Sequence, residues 1–292
     1  MKTILKKMYG FIPFKRELFL IVRKVWHPKS TIYQHLHFKG IINIPVEETS
    51  FKMWHYGYEV ENEIFWTGIT GNWEKVSIGL WIQLCRKADV VFDIGANTGV
   101  YALISKAINP EAKVYAFEPV ARVFNKLERN IKLNNFDITA IAKAVSNDNG
   151  TAVIYDTDTE HTYSVTVNKN HRGANVEVVE KIIEIITLDK FIKDNGIQKM
   201  DLVKIDVELH EPEVIEGFSE YISKFKPTIL IEIIRDEVAE RVNAMVSGLG
   251  YHYYHINEKG GIGRADKIVT GDYYNYLLCT PETAASLGIS NN

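Results

Sequence analysis

The sequence predicts a doubly wound α/β fold, a mostly parallel sheet with helices on both faces, and three observations carry that prediction. From residue 90 onward, short apolar runs suited to strands alternate with segments of helical periodicity. The first run, Val90-Val91-Phe92-Asp93-Ile94, is almost wholly apolar, as a strand covered by helices on both sides must be. It enters a turn, Gly95-Ala96-Asn97-Thr98-Gly99, that opens the next helix, while the second run, 113–117, closes on Glu118-Pro119. A glycine turn after one strand and a carboxylate ending the next is how such sheets hold a nucleoside.

The 292 residues are enough for one large domain, or one domain with an extension, and 46% apolar with 24% charged residues is ordinary for a globular protein. A net formal charge of −3 gives no reason to expect nucleic acid as a partner. The charge is uneven: residues 1–30 hold eight Lys and Arg against Glu17 alone, interspersed with Phe14, Leu18, Phe19, Ile21, Val22, Val25 and Trp26. Two readings of that segment stand open. It is an interfacial helix that touches an anionic membrane, or a helical extension that packs on the catalytic domain or on the second subunit of a homodimer. Cys85 and Cys279 alone make no disulfide framework and no zinc cluster, and His35 and His37 lack a third ligand, so no metal site is expected. The absence of a secretory signal and of a long apolar span points to a cytoplasmic protein, peripheral at the inner membrane face if the basic segment docks there.

Taken in order, residues 31–66 read as a small β-rich cap, with strand-like alternation over 38–45 and 50–54 and a turn at Gly57. The stretch 64–81 is rich in aromatics and runs into a helix over 74–86. The boundary is placed so that 1–87 is the basic helical segment with its cap and 88–292 the main domain. Beyond the first two strands, a helix over 121–134 buries Val123, Phe124, Leu127 and Ile131 on one face. A third strand follows at 138–145, Asn149-Gly150 turns into 151–155, and the polar stretch 156–180 reads as a mobile insertion able to reach over the site. Then come a strand over 182–188, a helix over 188–194 stopped by Asn195-Gly196, the fourth core strand 200–207 and a helix over 211–218. The fifth strand is 227–233, a helix over 237–249 ends at Gly250, and two last strands, 251–256 and 273–279, flank a glycine-rich loop.

The spacing of the turn bears on the ligand. A dinucleotide fingerprint needs G-x-G-x-x-G so that a pyrophosphate meets bare amides, whereas here Asn97 stands at the second glycine and Asp93 adds negative charge. That suits a cationic amino-acid nucleoside and disfavours a nicotinamide oxidoreductase. The pattern resembles motif I of S-adenosylmethionine (SAM) dependent methyltransferases. Ligands of such sheets bind outside the carboxyl ends of the strands, which gathers Asp93, Gly95, Asn97 and Glu118 with Ser146, Lys204, Asp206 and, beyond them, Glu208, His210, Glu211 and Glu232. Asp206, His210 and Glu211 are the candidates for aligning a nucleophile and removing its proton, His210 having the most suitable ordinary pKa.

Residues 91–101, Phe117-Glu118-Pro119, Ile186-Thr187-Leu188-Asp189-Lys190-Phe191 and 201–208 (Asp-Leu-Val-Lys-Ile-Asp-Val-Glu) together resemble the FkbM-type methyltransferase family over roughly 88–280. The resemblance implies a Rossmann-like class I SAM-methyltransferase fold with a seven-stranded, mostly parallel sheet. It implies SAM as cofactor and O-methylation of a hydroxyl on a sugar, glycan or small natural product. Asp93, Gly95, Asn97, Gly99 and Glu118 would contact SAM, joined by Ser146 at the third strand end, while Asp206 and Glu211 would line the active site. The chain differs from the usual family pattern in having Leu209-His210 where Gly-Ala precedes Glu211, which adds bulk beside the reaction centre. Trp54, Trp66 and Trp73 suit sugar faces or, equally, a core. The alternative to an enzyme is a SAM-binding or assembly protein of the same fold, docked at a membrane through residues 1–30.

Overall fold

The computed structural model describes residues 13–156 and 179–289. Helix α1 (Lys15–Val22) and the single turn α2 (Ser30–Tyr33) lead into an antiparallel hairpin, β1 (Gly40–Val46) with β2 (Thr49–His55). Its alternation sends Ile42 and Ile44 inward opposite Met53 and Phe51, so one face is buried. Helices α3 (Glu59–Thr67) and α4 (Lys75–Cys85) follow. The sequence does not reveal α3: its Ile64-Phe65-Trp66 run lacks clean helical spacing, yet all three side chains are buried, and Gly68 with φ of +87° stops the helix.

The core then unwinds strand by helix. β3 (Val90–Ile94), α5 (Val100–Ile108), β4 (Lys113–Phe117), α6 (Ala121–Asn134) and β5 (Ile138–Ile141) form its first half. A small three-stranded sheet interrupts it, made of β6 (Ala144–Val145), β7 (Gly150–Asp156) and β8 (Val179–Ile186) in the order β6-β8-β7. The single strand expected over 138–145 is therefore two, shared between two sheets. The insertion expected over 156–180 lies, but for its ends, outside the described residues. The second half is α7 (Leu188–Asp194), β9 (Leu202–Ile205), α8 (Glu211–Glu216), α9 (Ser219–Phe225), β10 (Thr228–Glu232), α10 (Asp236–Val246), β11 (His252–Asn257), β12 (Gly261–Ala265), β13 (Asn275–Cys279) and α11 (Pro281–Ser286).

The central sheet runs β12-β11-β13-β10-β9-β3-β4-β5. Five neighbours from β10 to β5 are parallel, and β13, β11 and β12 are joined antiparallel. Without β12 this is the expected seven-stranded sheet. The glycine-rich loop adds an eighth strand because Asn257 Oδ1 accepts the Lys259 and Gly260 N–H groups and folds 257–261 into a hairpin turn. Chain order reverses between β3 and β9, which makes their carboxyl ends the switch point where such sheets take ligands.

Each face of the sheet has its own core. Val91, Leu202 and Leu230 point to one face, where they join α4 and α5 and a core continuous with Phe19, Ile42, Phe51 and Trp66 of the N-terminal elements. Phe92, Ile94, Val203 and Ile231 point to the other, against α7 through α10. Trp81 on α4 is wholly buried and its Nε1 donates to the Tyr101 carbonyl at 3.1 Å and to Ser105 Oγ at 3.0 Å, so its one polar atom is satisfied. Burying a side chain of this size contributes roughly 1.5–3 kcal/mol or more.

At the switch point the two halves touch through Gly95. Its φ is +81°, and a Cβ there would lie 1.8 Å from the Asp206 carbonyl oxygen. The chain passes this close because the Asp206 N–H donates to the Ile94 carbonyl at 3.0 Å, holding the β9 end against the β3 end. Gly95→Ala therefore loses about 3 kcal/mol or more through backbone strain and overlap together, which calorimetry registers as a Tm lowered by roughly 10 °C.

Candidate active site

The strand ends at the switch point surround a cleft of about 440 Å³, lined by residues of β3, β4, β9 and β10 and of the loops that follow them. Register explains which side chains meet there. Asp93 on β3 is paired with Lys204 on β9, both point to the α5 face, and Glu232 ends β10 on that same face. Lys204, 3% exposed, reaches Asp206 Oδ2 at 2.8 Å and lies 4.6 Å above the Tyr101 ring. Burial opposes the Lys204 charge, but Asp206, Glu74 and Glu232 outweigh it and hold its pKa above the ordinary value. In turn burial pushes the Asp93 carboxyl up to about 6 despite Lys204, and raises Glu232 well beyond the carboxylate range with Asp206 adding to the rise.

Glu74 and Tyr101 belong to this cluster although the sequence did not mark them. Glu74 is the N-cap of α4 with φ of +42°, yet its side chain caps nothing. Glu258, from the β11–β12 turn, takes over that role by accepting the Val76 N–H at 2.6 Å and the Ser77 hydroxyl. Glu74 is thus released to accept the Tyr101 hydroxyl and to face Lys204, and burial raises its pKa. The strained backbone of Glu74 is a signal that exists only in three dimensions.

On the β4 side, Glu118 is 6% exposed and its two oxygens accept the Val120 N–H at 2.9 Å and the Asn97 N–H at 3.1 Å. Burial raises its pKa to about 7, the two amides and Arg122 acting in the opposite sense. Asn97, with φ of +52°, lines the cleft, and its buried Oδ1 has no hydrogen-bond partner among the described residues. Gly99 is the N-cap of α5 with φ of +93°, where a Cβ would press on Leu127 at 2.5 Å. Asp93 also accepts the Ala102 N–H of α5 at 2.9 Å, so it ties the first turn of the helix to the strand.

The remaining candidates divide. Asp206 and His210 line the cleft, as do Glu208 and Trp73. Ser146 is buried beside it, and its Oγ lies 2.9 Å from His210 Nε2. His210 Nδ1 lies 3.4 Å from Glu213, and burial lowers the His210 pKa. Glu211 turns inward: it is 1% exposed, and its Oε1 accepts the Val207 and Leu209 N–H groups at 3.2 and 3.3 Å. It braces the 206–211 turn from beneath and does not border the cleft. That turn is strained, with Glu208 at φ of +53° and Leu209 at +77°. The family's glycine would sit at Leu209 without cost, whereas an L side chain there costs roughly 1–2 kcal/mol. Of the three tryptophans, Trp66 is core, Trp54 lies under the Arg129 guanidinium at 3.3 Å, and Trp73 alone borders the cleft.

The profile of the methyltransferase FkbM domain family matches residues 93–253, more than half of the chain, which belongs to that family. Among curated relatives, methyltransferase sdnD of Sordaria araneosa is 24% identical over 188 residues, 55% of this chain and 73% of that one. Hexuronic acid methyltransferase AglP of Haloferax volcanii is 27% identical over 146 residues, covering 50% of this chain and 56% of its own. The 31-O-demethyl-FK506 methyltransferase FkbM of Streptomyces tacrolimicus is 28% identical over 156 residues, 45% of this chain and 60% of its own. The chain thus spans little more than half the length of the latter two.

The family's cofactor is S-adenosyl-L-methionine, and the residues of the cleft fit it. A buried amide oxygen without a partner (Asn97) suits an ammonium donor, a carboxylate with both oxygens fixed by backbone amides (Glu118) suits ribose hydroxyls, and the excess of carboxylates over cations suits a sulfonium.

Three outcomes follow for measurement. Glu118 and Asp93 accept hydrogen bonds best when ionised, and their pKa values stand near 7 and 6, so S-adenosylhomocysteine binding by calorimetry weakens as pH falls from about 8 to 6. Glu118→Gln weakens it roughly ten- to a hundredfold at pH 8 and flattens that dependence. Glu211, raised from 4.5 to about 8 by burial, binds a proton in the folded state that the unfolded state has released. Its contribution is present below the unfolded pKa and is lost as pH rises through the folded one. Glu211→Gln keeps both accepted amides, so its Tm exceeds that of the parent by several degrees at about pH 9 and matches it near pH 4.

Proposed function

We propose that this FkbM-family chain transfers the methyl group of S-adenosyl-L-methionine to a hydroxyl oxygen of a sugar or glycan-type acceptor. The observation that carries the reading is that Asp206 and His210, two groups able to take a hydroxyl proton, border the same cleft as Asp93, Asn97 and Glu118. The names of AglP and FkbM, one a hexuronic acid and one a 31-O-demethyl methyltransferase, support an oxygen acceptor. Trp73 and Tyr58 at the cleft wall offer the aromatic faces that sugar rings pack on.

The bound cofactor supplies an electrophilic methyl group. What the protein supplies is position and a proton acceptor. Asp206, kept against Lys204 at 2.8 Å, presents a carboxylate able to hold the acceptor hydroxyl and aim its oxygen. His210, whose neutral form burial favours, is the group to take the proton. Ser146 orients that imidazole from its Nε2 side. Tyr101 and Glu74 close the far side of Lys204 and keep water from the pair. Glu211 acts at one remove, by fixing the turn on which Asp206 and His210 stand.

The test is release of S-adenosylhomocysteine with a panel of neutral sugars, uronic acids and small alcohols as acceptors. Asp206→Asn lowers kcat by about 10²- to 10⁴-fold with S-adenosylhomocysteine affinity little changed. Because His210 must be unprotonated and burial lowers its pKa, kcat at saturating cofactor falls only on the acid side of the ordinary imidazole range, and His210→Gln abolishes that acid limb. Binding of the cofactor with no turnover on any hydroxyl acceptor would sink the proposal.

A further inference from the structure

Helix α1 is anchored by one side and bare on the other. Phe19, 7% exposed, packs at a tilt on Phe38 and Trp66 with ring centroids 6.1 and 5.4 Å apart. Arg23 covers the Phe65 ring at 4.7 Å, and Arg16 Nε donates to the Ile41 carbonyl at 2.6 Å. These contacts hold the helix to the hairpin and α3. Helical hydrogen bonding extends beyond its formal ends, from the Leu18 N–H to the Phe14 carbonyl at 2.9 Å and from the Trp26 N–H to the Val22 carbonyl at 2.9 Å.

The opposite side carries Phe14, Leu18, Ile21 and Val25, 77%, 45%, 66% and 84% exposed. At about 100° per residue these four fall within a sector of roughly 60°, diametrically across from Phe19 and Arg23. Trp26 and Ile32 are also exposed in the stretch that follows, so six of the eleven large apolar side chains exposed among the described residues lie between positions 14 and 32. A patch of that kind on a fixed helix marks a contact with something outside the chain.

The geometry points to an anionic lipid surface as the occupant of this seam. Charge decides between a membrane and a second copy of the chain. Lys24 and Lys29 are exposed beside the seam, the one acid there, Glu17, is paired with Arg16 at 3.0 Å, and the fourteen residues before α1 add Lys2, Lys6 and Lys7 with no acidic residue. Two copies meeting seam to seam about a two-fold axis would bring two net-positive segments together, eight Lys and Arg against Glu17 in each. An anionic bilayer meets the same cations with attraction, while the apolar row enters the headgroup boundary. The helix lies along the surface, since among the described residues no helix is long and apolar enough to cross a membrane.

The experiment is co-sedimentation of the full chain with vesicles of phosphatidylcholine alone or mixed with phosphatidylglycerol. Binding is expected to the mixed vesicles alone and to weaken with added salt. The triple substitution Leu18→Ser, Ile21→Ser, Val25→Ser replaces exposed side chains and leaves the anchoring face intact. It is expected to lower the partition coefficient by ~100-fold or more, and Lys24→Glu with Lys29→Glu by ~10-fold or more. Both variants should keep the parent's melting shift with S-adenosylhomocysteine, which shows that they fold. No sedimentation with anionic vesicles, equal sedimentation with neutral ones, or undiminished binding by the triple variant would overturn the assignment. A dimer in sedimentation equilibrium that the triple variant converts to monomer would overturn it too, and give the seam to a second copy.

Discussion

Lys204 is a buried cation surrounded by more carboxylates than it can neutralise, and the cleft is arranged around that imbalance. Two unit charges about 4 Å apart attract by roughly 4 kcal/mol at an effective dielectric of about 20, so Asp206 at 2.8 Å gains a strong partner. Asp93, Glu74 and Glu232 share what remains, and burial drives the pKa of each upward. A site short of positive charge in this way is stabilised by a cationic ligand, which sulfonium and ammonium groups together provide.

That cluster exists because parallel strands put all their carboxyl ends on one edge and because β3 and β9 come into contact. Gly95 permits the contact, and the pairing of Asp93 with Lys204 follows from the resulting register. The turn after β9 carries Asp206 and His210 and is held in an unfavourable backbone conformation at Glu208 and Leu209 by Glu211 beneath it. Strain of this kind persists where the surroundings impose it, and here it keeps Asp206 and His210 facing the cleft.

The N-terminal helix serves two surfaces at once. Its inner residues join the core on the α5 face of the sheet, and its outer row faces away from the domain. The described part of the basic segment thus packs on the hairpin and α3 and still leaves an apolar seam beside exposed lysines.

The sequence by itself determined the α/β class, the positions of β3, β4, β9 and β10, the switch-point location and the family. These are legible because buried strands must be apolar, because the turn after β3 needs glycine, and because parallel order forces the ligand edge. Asp93, Asn97, Glu118, Asp206 and His210 could be placed at that edge from their position after strand ends alone. The tertiary structure alone decided that Glu211 points beneath its turn, that Glu258 caps α4 and frees Glu74, and that Tyr101 covers Lys204. It also decided that α3 is a helix, that 138–145 divides between two sheets, and that the glycine loop adds an edge strand. Each of these depends on a partner distant in the chain, and local periodicity carries no record of which distant group a side chain will meet.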